Sequence, residues 1–354
     1  MRTWLPWILL LGACSTPALQ PTTEGPPYDG GPEAIADAGH RDAGTFAEID
    51  AGVVRDGGDT TARDAGPSPR DAGPSVRDAG APLGGCGQPA PTDDAWTLEH
   101  DGRTREFFVH VPRGYDPNSP TPVVFDFHGR LFTATLQMGL THMRRVADDE
   151  GFIVVHGEGI GRTWNGGVCC GEAMQEDVDD VGFVDAMIDA LEANLCVDAR
   201  RVYATGMSNG GFLSHRLACE LSDRIAAIAP VAGVLGIVGC SPTRAVPVLH
   251  FHGTDDSIVG YDGIRGYLSV EDTIDGWVQR NGCSPTAAVT FQQDDVTCET
   301  WSGCDDGAEV QLCTIDGGGH TWPGGAPVPG LGHTSDTIDA SETMWTFFER
   351  FTLP

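Results

Sequence analysis

Between residues 103 and 351, short apolar runs alternate with segments whose apolar residues recur every three or four positions. "REFFVHV" and "PVVFDFHG" read as strands, "TLQMGLTHMRRVADDEG" as one helix ending at Gly151, and "FIVVHG" as a further strand. Beyond a loop follow the helix "DDVGFVDAMIDALEANL", the strand "RVYATG", the helix "NGGFLSHRLACEL" and the strands "IAAIAPVAG" and "VPVLHFHG". "VEDTIDGWVQR" and "ASETMWTFFERF" are the last two helices. Between them, "VTCETWSGCDDGAEVQLCTIDG" reads as a Cys-rich hairpin turning at "DDG", with Cys298 opposite Cys313. Such alternation directs the chain to an α/β sandwich, a mostly parallel central sheet with helices on both faces. In sheets of this kind, ligands bind beyond the carboxyl ends of the strands.

Upstream of this region the chain has a different character. "MRTWLPWILLLGACS" carries one Arg and an apolar run too short to span a bilayer, the pattern of an export signal. Its "LGAC" resembles the lipobox of bacterial lipoproteins, which implies lipidation of Cys14, membrane attachment through that anchor and, with Ser15 following, outer-membrane sorting. Residues 15–85 are rich in Asp, Ala, Gly and Pro, with irregular near-repeats such as "RDAGPSPRDAGPSVRDAG". So few apolar side chains cannot offset chain entropy, and a disordered tether reaching roughly 45 Å is expected. Residues 86–354 then form the folded domain.

The formal net charge is −30, and the chain contains no Lys. A field of that sign repels nucleic acid and favours neutral ligands. Eleven cysteines less Cys14 leave ten, an even number that in an exported protein predicts up to five disulfides. No paired C-x-x-C spacing points to metal, and no metal or cofactor is expected.

"YATGMSNGGF" places Ser208 between a strand and a helix in a G-x-S-x-G turn, the arrangement of a nucleophile elbow. Gly206 and Gly210 suit a turn too tight for a side-chain carbon, and the Asn209 amide at the helix start would face an oxyanion. A serine nucleophile needs a base and an orienting acid, in the chain order Ser, acid, His. "HFHGTDDSIV" offers Asp255 or Asp256 at a strand end. "DGGGHTWPGG" offers His320 as base, with His333 in "GLGHTSD" the rival, read as a surface-loop histidine. "FDFHGR" supplies a second oxyanion loop, with the Arg130 amide as donor and His128 as its brace. Trp164 and Trp322 are candidate walls of a substrate pocket.

On these motifs the domain resembles the secreted esterases grouped as polyhydroxybutyrate depolymerases and feruloyl esterases of carbohydrate esterase family one, which have the α/β hydrolase fold. The resemblance runs through residues 97–350 in the series "FDFHG", "ADDEGFIVVHGEG", "TWNGGVCCGEA", "VDDVGFVDAMID", "RVYATGMSNGG", "AAIAPVAG", "LHFHGTDDSIV" and "GGGHTWPGG". It implies Ser208 as nucleophile, His320 as base and Asp256, rather than Asp255, as the acid. The implied substrates are neutral esters: feruloyl or acetyl esters of plant cell walls, polyhydroxyalkanoates or small aryl esters. The chain departs from the family in carrying "RLF" after the "HG" pair, where a small residue is usual. The adjacent Cys169 and Cys170 fit the family; since a vicinal ring is strained, distant partners such as Cys196 are expected. Three other activities share parts of the pattern. They are a serine peptidase of the prolyl-oligopeptidase type, a metallohydrolase using His128, His250, His252 and Asp255, and a surface binding protein with an inactive site.

Overall fold

The computed structural model describes residues 84–354 apart from 93 and 265. The expected export signal, Cys14 and the expected tether as far as residue 83 lie outside the described residues. The elements begin with β1 (Ala95–His100), β2 (Arg103–His110), β3 (Thr121–Phe127), α1 (Ala134–Thr141), α2 (Met143–Glu150) and β4 (Ile153–Gly157). They continue with α3 (Glu172–Gln175), α4 (Asp180–Asn194), β5 (Val197–Met207), α5 (Asn209–Glu220), β6 (Ala227–Val231) and β7 (Val248–Gly253). The last are α6 (Val270–Arg280), β8 (Ala288–Gln293), β9 (Val296–Trp301), β10 (Val310–Ile315) and α7 (Ala340–Phe348).

All ten strands form one sheet in the order β1-β2-β4-β3-β5-β6-β7-β10-β9-β8. Its centre, from β4 to β10, is parallel, and the outer pairs at both ends are antiparallel. The central strands β3, β4, β6 and β7 are buried along their whole length, which is why they read as unbroken apolar runs. Successive residues point to opposite faces. Phe125 and Phe127 join Phe183, Phe212 and Ile274 of α4, α5 and α6 on one face. Val124 joins Leu140, Val146 and Met344 of α1, α2 and α7 on the other. This is the expected two-faced sandwich.

Two edge elements were not legible. β1 alternates exposed and half-buried residues, and β8 is exposed at five of its six positions, so neither shows an apolar run. The single helix expected over 135–151 is broken into α1 and α2 at His142, which takes a left-handed φ of 53°. Thr141 causes the break chemically: its hydroxyl bonds Gln137 O and Asp126, and accepts from the Met143 amide, in competition with the helical ladder. The helix end at Gly151 is as expected, with φ 82° and its amide on Ala147 O.

Five disulfides account for all ten cysteines of the domain, as an oxidising, export-type setting allows. Cys298 bonds Cys313 across the β9–β10 register, as the hairpin predicts. The expectation for the adjacent pair is corrected: Cys169 and Cys170 bond each other across a cis peptide bond. Cys196, the distant partner considered, is taken by Cys86 at the start of the domain.

A buried polar knot fixes α1 to the sheet just before the loop that leaves β3. Asp126 accepts from Gln137 Nε2 and Thr141 Oγ1, both at 2.8 Å. Burial pushes its carboxyl up to about 7, against hydrogen bonds that pull it down, while burial lowers the neighbouring His156 to about 3. A raised carboxyl value means that the folded state holds the proton more tightly, so its contribution to stability declines as pH rises through this range. Relative to Asp126→Asn, the wild type is expected to lose up to about 4 kcal/mol between pH ~4 and ~7 and to change no further above that, as read by urea denaturation at each pH.

Candidate active site

β5 ends at Met207 and α5 begins at Asn209, leaving Ser208 alone in the turn at φ 56°, ψ −120°. A β-carbon at Gly206 would lie 2.6 Å from Phe127 O, and one at Gly210 would strike the same carbonyl, so both glycines are required. The Ser208 amide bonds Val231 O at 2.8 Å, and Ser208 O accepts from Phe212 at 3.0 Å. These bonds hold a serine in a conformation that L-residues rarely adopt.

The β3 loop runs directly beside this turn: a β-carbon at Gly129 would lie 3.4 Å from Ser208 Cβ. His128 braces the loop from within. The Gly159 amide donates to its Nε2 at 3.0 Å, so the proton is on Nδ1, which donates to Gly129 O at 2.9 Å. Burial lowers this imidazole to about 4, keeping it neutral. The bulky "RLF" segment is accommodated by a turn with Leu131 at φ 69°, its amide on Arg162 O and that of Phe132 on Gly129 O. Among the described residues, no hydrogen bond engages the amide of Arg130 or of Asn209. Both remain available beside Ser208.

Asp256 and His320 meet across the loops that follow β7 and β10. His320 Nδ1 donates to Asp256 Oδ2 at 2.7 Å, and Asp256 Oδ1 accepts the amides of Ile258 and Val259, each at 2.8 Å. Burial works against the Asp256 charge, but hydrogen bonding from His252 and His320 outweighs it and holds the carboxyl well below its ordinary range. Asp255 is exposed and makes only a backbone bond to Gly318 O, which separates the two candidates geometrically. His333, the rival base, lies on the surface against Asp295 at 3.0 Å.

Ser208 and His320 line a common cavity of about 330 Å³ with Gly129 and Arg130. Its other walls are mainly apolar, among them Leu131, Phe132, Met207, Ile258, Val259 and Tyr267, together with the Cys169–Cys170 bridge. The two tryptophans are not among them. Trp164 is fully buried, packed edge-on to Phe127 at 5.2 Å with Nε1 on His128 O, and Trp322 is buried with Nε1 on Ser341 Oγ. Their expected place in the pocket is corrected: both indoles satisfy their N–H inside the core, which leaves no face for a ligand. The walls that sequence reasoning missed had one available signal, the apolar Ile258-Val259 pair placed immediately after the acid.

Of the ring nitrogens considered for a metal, all but His250 Nδ1 have hydrogen-bond partners among the described residues. His250 Nε2 lies 3.0 Å from His252 Nδ1, His252 Nε2 is on Val259 O, and both nitrogens of His128 have partners.

A strand-turn-helix serine at the carboxyl edge of a mostly parallel sheet, with an Asp–His pair on the next loops, defines the α/β hydrolase fold. A solved thermostable esterase shares this fold at a TM-score of 0.51 and 16% identity, over 73% of this chain and 62% of that one. The resemblance to esterases holds along the sequence as well. Feruloyl esterase B of Piromyces equi is 31% identical over 268 residues, 71% of this chain and 46% of the relative. Feruloyl esterase C of Emericella nidulans is 29% identical over 276 residues, 75% of this chain and 90% of the relative. The chain thus spans about half the length of the Piromyces protein. No family model matches it.

If Asp256 orients His320, Asp256→Asn should present the wrong ring nitrogen and slow covalent labelling of Ser208 by a fluorophosphonate roughly 10⁴-fold. Asp255→Asn should label at the wild-type rate.

Proposed function

We propose that the chain is a serine carboxylic ester hydrolase. The observation that carries this reading is the 2.7 Å bond between Asp256 and His320 Nδ1, beside a cavity that His320 shares with Ser208. With Nδ1 committed as donor, Nε2 is the ring nitrogen free to accept a proton. His320 Nε2 takes the Ser208 hydroxyl proton as Oγ attacks the ester carbonyl. The resulting oxyanion is held by the Asn209 and Arg130 amides. His320 then returns the proton to the departing alkoxide, leaving an acyl-serine. A water molecule, deprotonated by the same nitrogen, releases the acid and restores Ser208. Throughout, the Asp256 carboxylate stabilises the imidazolium without taking its proton.

The apolar walls favour an uncharged acyl group, and the relatives named feruloyl esterases favour an aromatic one. Acetyl and hydroxyalkanoate esters are the competing substrates within the same chemistry. Methyl ferulate, p-nitrophenyl acetate and polyhydroxybutyrate are to be compared, with methyl ferulate expected to be turned over. Ser208→Ala should reduce that turnover by roughly 10⁴-fold or more. No turnover of any ester by the wild type would overturn the reading.

The same proposal attaches the domain to a membrane through Cys14 and the 15–85 tether, since several acyl chains at about 0.8 kcal/mol per methylene anchor stably. In a diderm bacterial host, Cys14→Ala is expected to move the protein from the membrane pellet to the soluble fraction. An unchanged distribution would count against the anchor.

A further inference from the structure

Behind the Asp256–His320 pair lies a line of buried histidines that the mechanism above does not use. His215 of α5 and His250 and His252 of β7 are all buried. The His250 and His252 rings stack at 5.3 Å, nearly parallel, and His215 stacks on His250 at 5.6 Å. Trp277 Nε1 of α6 donates to His215 Nδ1 at 3.0 Å. Tyr261 stands edge-on to His252 at 6.0 Å, and the charge of Arg280 acts on His215.

The hydrogen bonds determine where the protons sit. Val259 O can only accept, so the 2.7 Å contact from His252 Nε2 requires the proton on that nitrogen. A neutral His252 has then spent its proton, and Nδ1 must accept from His250 Nε2 at 3.0 Å. His250 Nδ1 is left bare, and it has no partner. The opposite assignment would bury a cationic His252 and leave an N–H on His250 Nδ1 without an acceptor. Burial holds His250 and His215 well below the ordinary imidazole value, so His250 has one ring proton to place.

The consequence reaches the acid. His252 Nε2 holds the carbonyl of Val259 and stands 3.5 Å from Asp256 Oδ2, while the amide of Val259 holds Asp256 Oδ1 at 2.8 Å. One imidazole therefore holds the Val259 end of the turn by its hydrogen bond and faces the Asp256 carboxylate at the other end. We infer that His250 and His252 are positioning residues: His250 donates to fix the tautomer of His252, and His252 pins the turn that keeps the Asp256 carboxylate aligned with His320. The inference rests on the assignment of Asp256 and His320 in the proposed reaction, and its test separates the two.

The first measurement is on the whole chain labelled with ¹⁵N-histidine, using long-range NMR correlations assigned by single substitutions. At pH 8, His252 is expected to carry its proton on Nε2 with Nδ1 bare, and finding it protonated on Nδ1, or on both nitrogens, overturns the inference. The second is kinetic, on whichever ester the wild type accepts. His250→Leu removes the donor and is expected to lower kcat roughly 10- to 100-fold with KM little changed. His250→Gln, whose amide can still donate, should recover most of the loss. A folded His250→Leu with wild-type kcat overturns the inference. If that variant does not fold, His250→Gln is compared with the shorter His250→Asn, and equal kcat values for the two overturn it. Should the wild type hydrolyse no ester, the proposed reaction falls, and the tautomer measurement still decides the role of His250 and His252.

Discussion

The bond from His320 to Asp256 joins residues 64 positions apart, and the order of the strands makes it possible. β7 and β10 pair in parallel from Val248–Val310 to Gly253–Ile315, so both chains leave the sheet at the same edge and at the same level. The loops then bond each other directly, Thr254 N to Ile315 O, Asp255 N to Gly318 O and Gly317 N to Thr254 Oγ1. Gly253 and Gly318 touch so closely that a β-carbon at Gly253 would collide with the Gly318 carbonyl. The acid and the base are thus positioned by backbone hydrogen bonding before their side chains meet. Farther along, the His320 amide on Leu331 O and the Gly319 amide on His333 O tie the loop to its own return strand. His333 takes part as backbone there, and its ring serves only to anchor that return to Asp295.

Electrostatics divide the molecule into two regimes. The chain carries a net charge of −30, yet the cavity beside Ser208 is mainly apolar. Leu131 and Ile258 stand at its walls with 53% and 37% of their surface exposed, so the apolar lining continues outward. In the proposed reaction, an apolar acyl group entering here would lose little hydration of its own, whereas an anionic one would meet both a repulsive field and an apolar wall. The titratable groups around the candidate site follow the same division. His128, His215 and His250 are kept neutral by burial, and Asp256 is kept charged by its hydrogen bonds. Charge is retained where the imidazolium would form and suppressed around it.

What could be read in the sequence follows from how local each cause is. The elbow was legible because its required residues, Gly206 to Gly210, fall within five positions, even though the carbonyl that both glycines abut belongs to Phe127 on β3. The central strands were legible because burial on both faces demands unbroken apolar runs. The two tryptophans misled because "TWNGG" and "HTWPGG" lie next to the site in the chain, whereas their rings turn inward to partners at His128 and Ser341 that no local pattern announces. The division of one predicted helix at His142 depends on Asp126, fifteen residues before Thr141 and on a different element. The adjacent cysteines failed for a similar reason, since the distant partner considered for them was already held by Cys86.

Asn209 shows how closely the site is tied to its second wall. Its amide begins α5 beside Ser208, while its side chain brackets the backbone of Trp164, accepting from the amide at 2.6 Å and donating to the carbonyl at 2.8 Å. The same Nδ2 lies 3.6 Å from Cys169 Sγ. The next residue, Asn165, is held by its amide on Asp180 Oδ2 at 2.7 Å, and Asp180 is itself paired with buried Arg105 at 2.7 Å. A buried ion pair of this kind contributes little net stability compared with apolar packing, but it tolerates almost no displacement of its partners. The start of the segment, Trp164 and Asn165, is therefore fixed at both Asn209 and Asp180, and Asn209 also touches the disulfide wall of the cavity at Cys169. Rigidity of this sort suits the proposed reaction, in which an acyl carbonyl would have to be held about 3 Å from both the serine oxygen and the oxyanion amides.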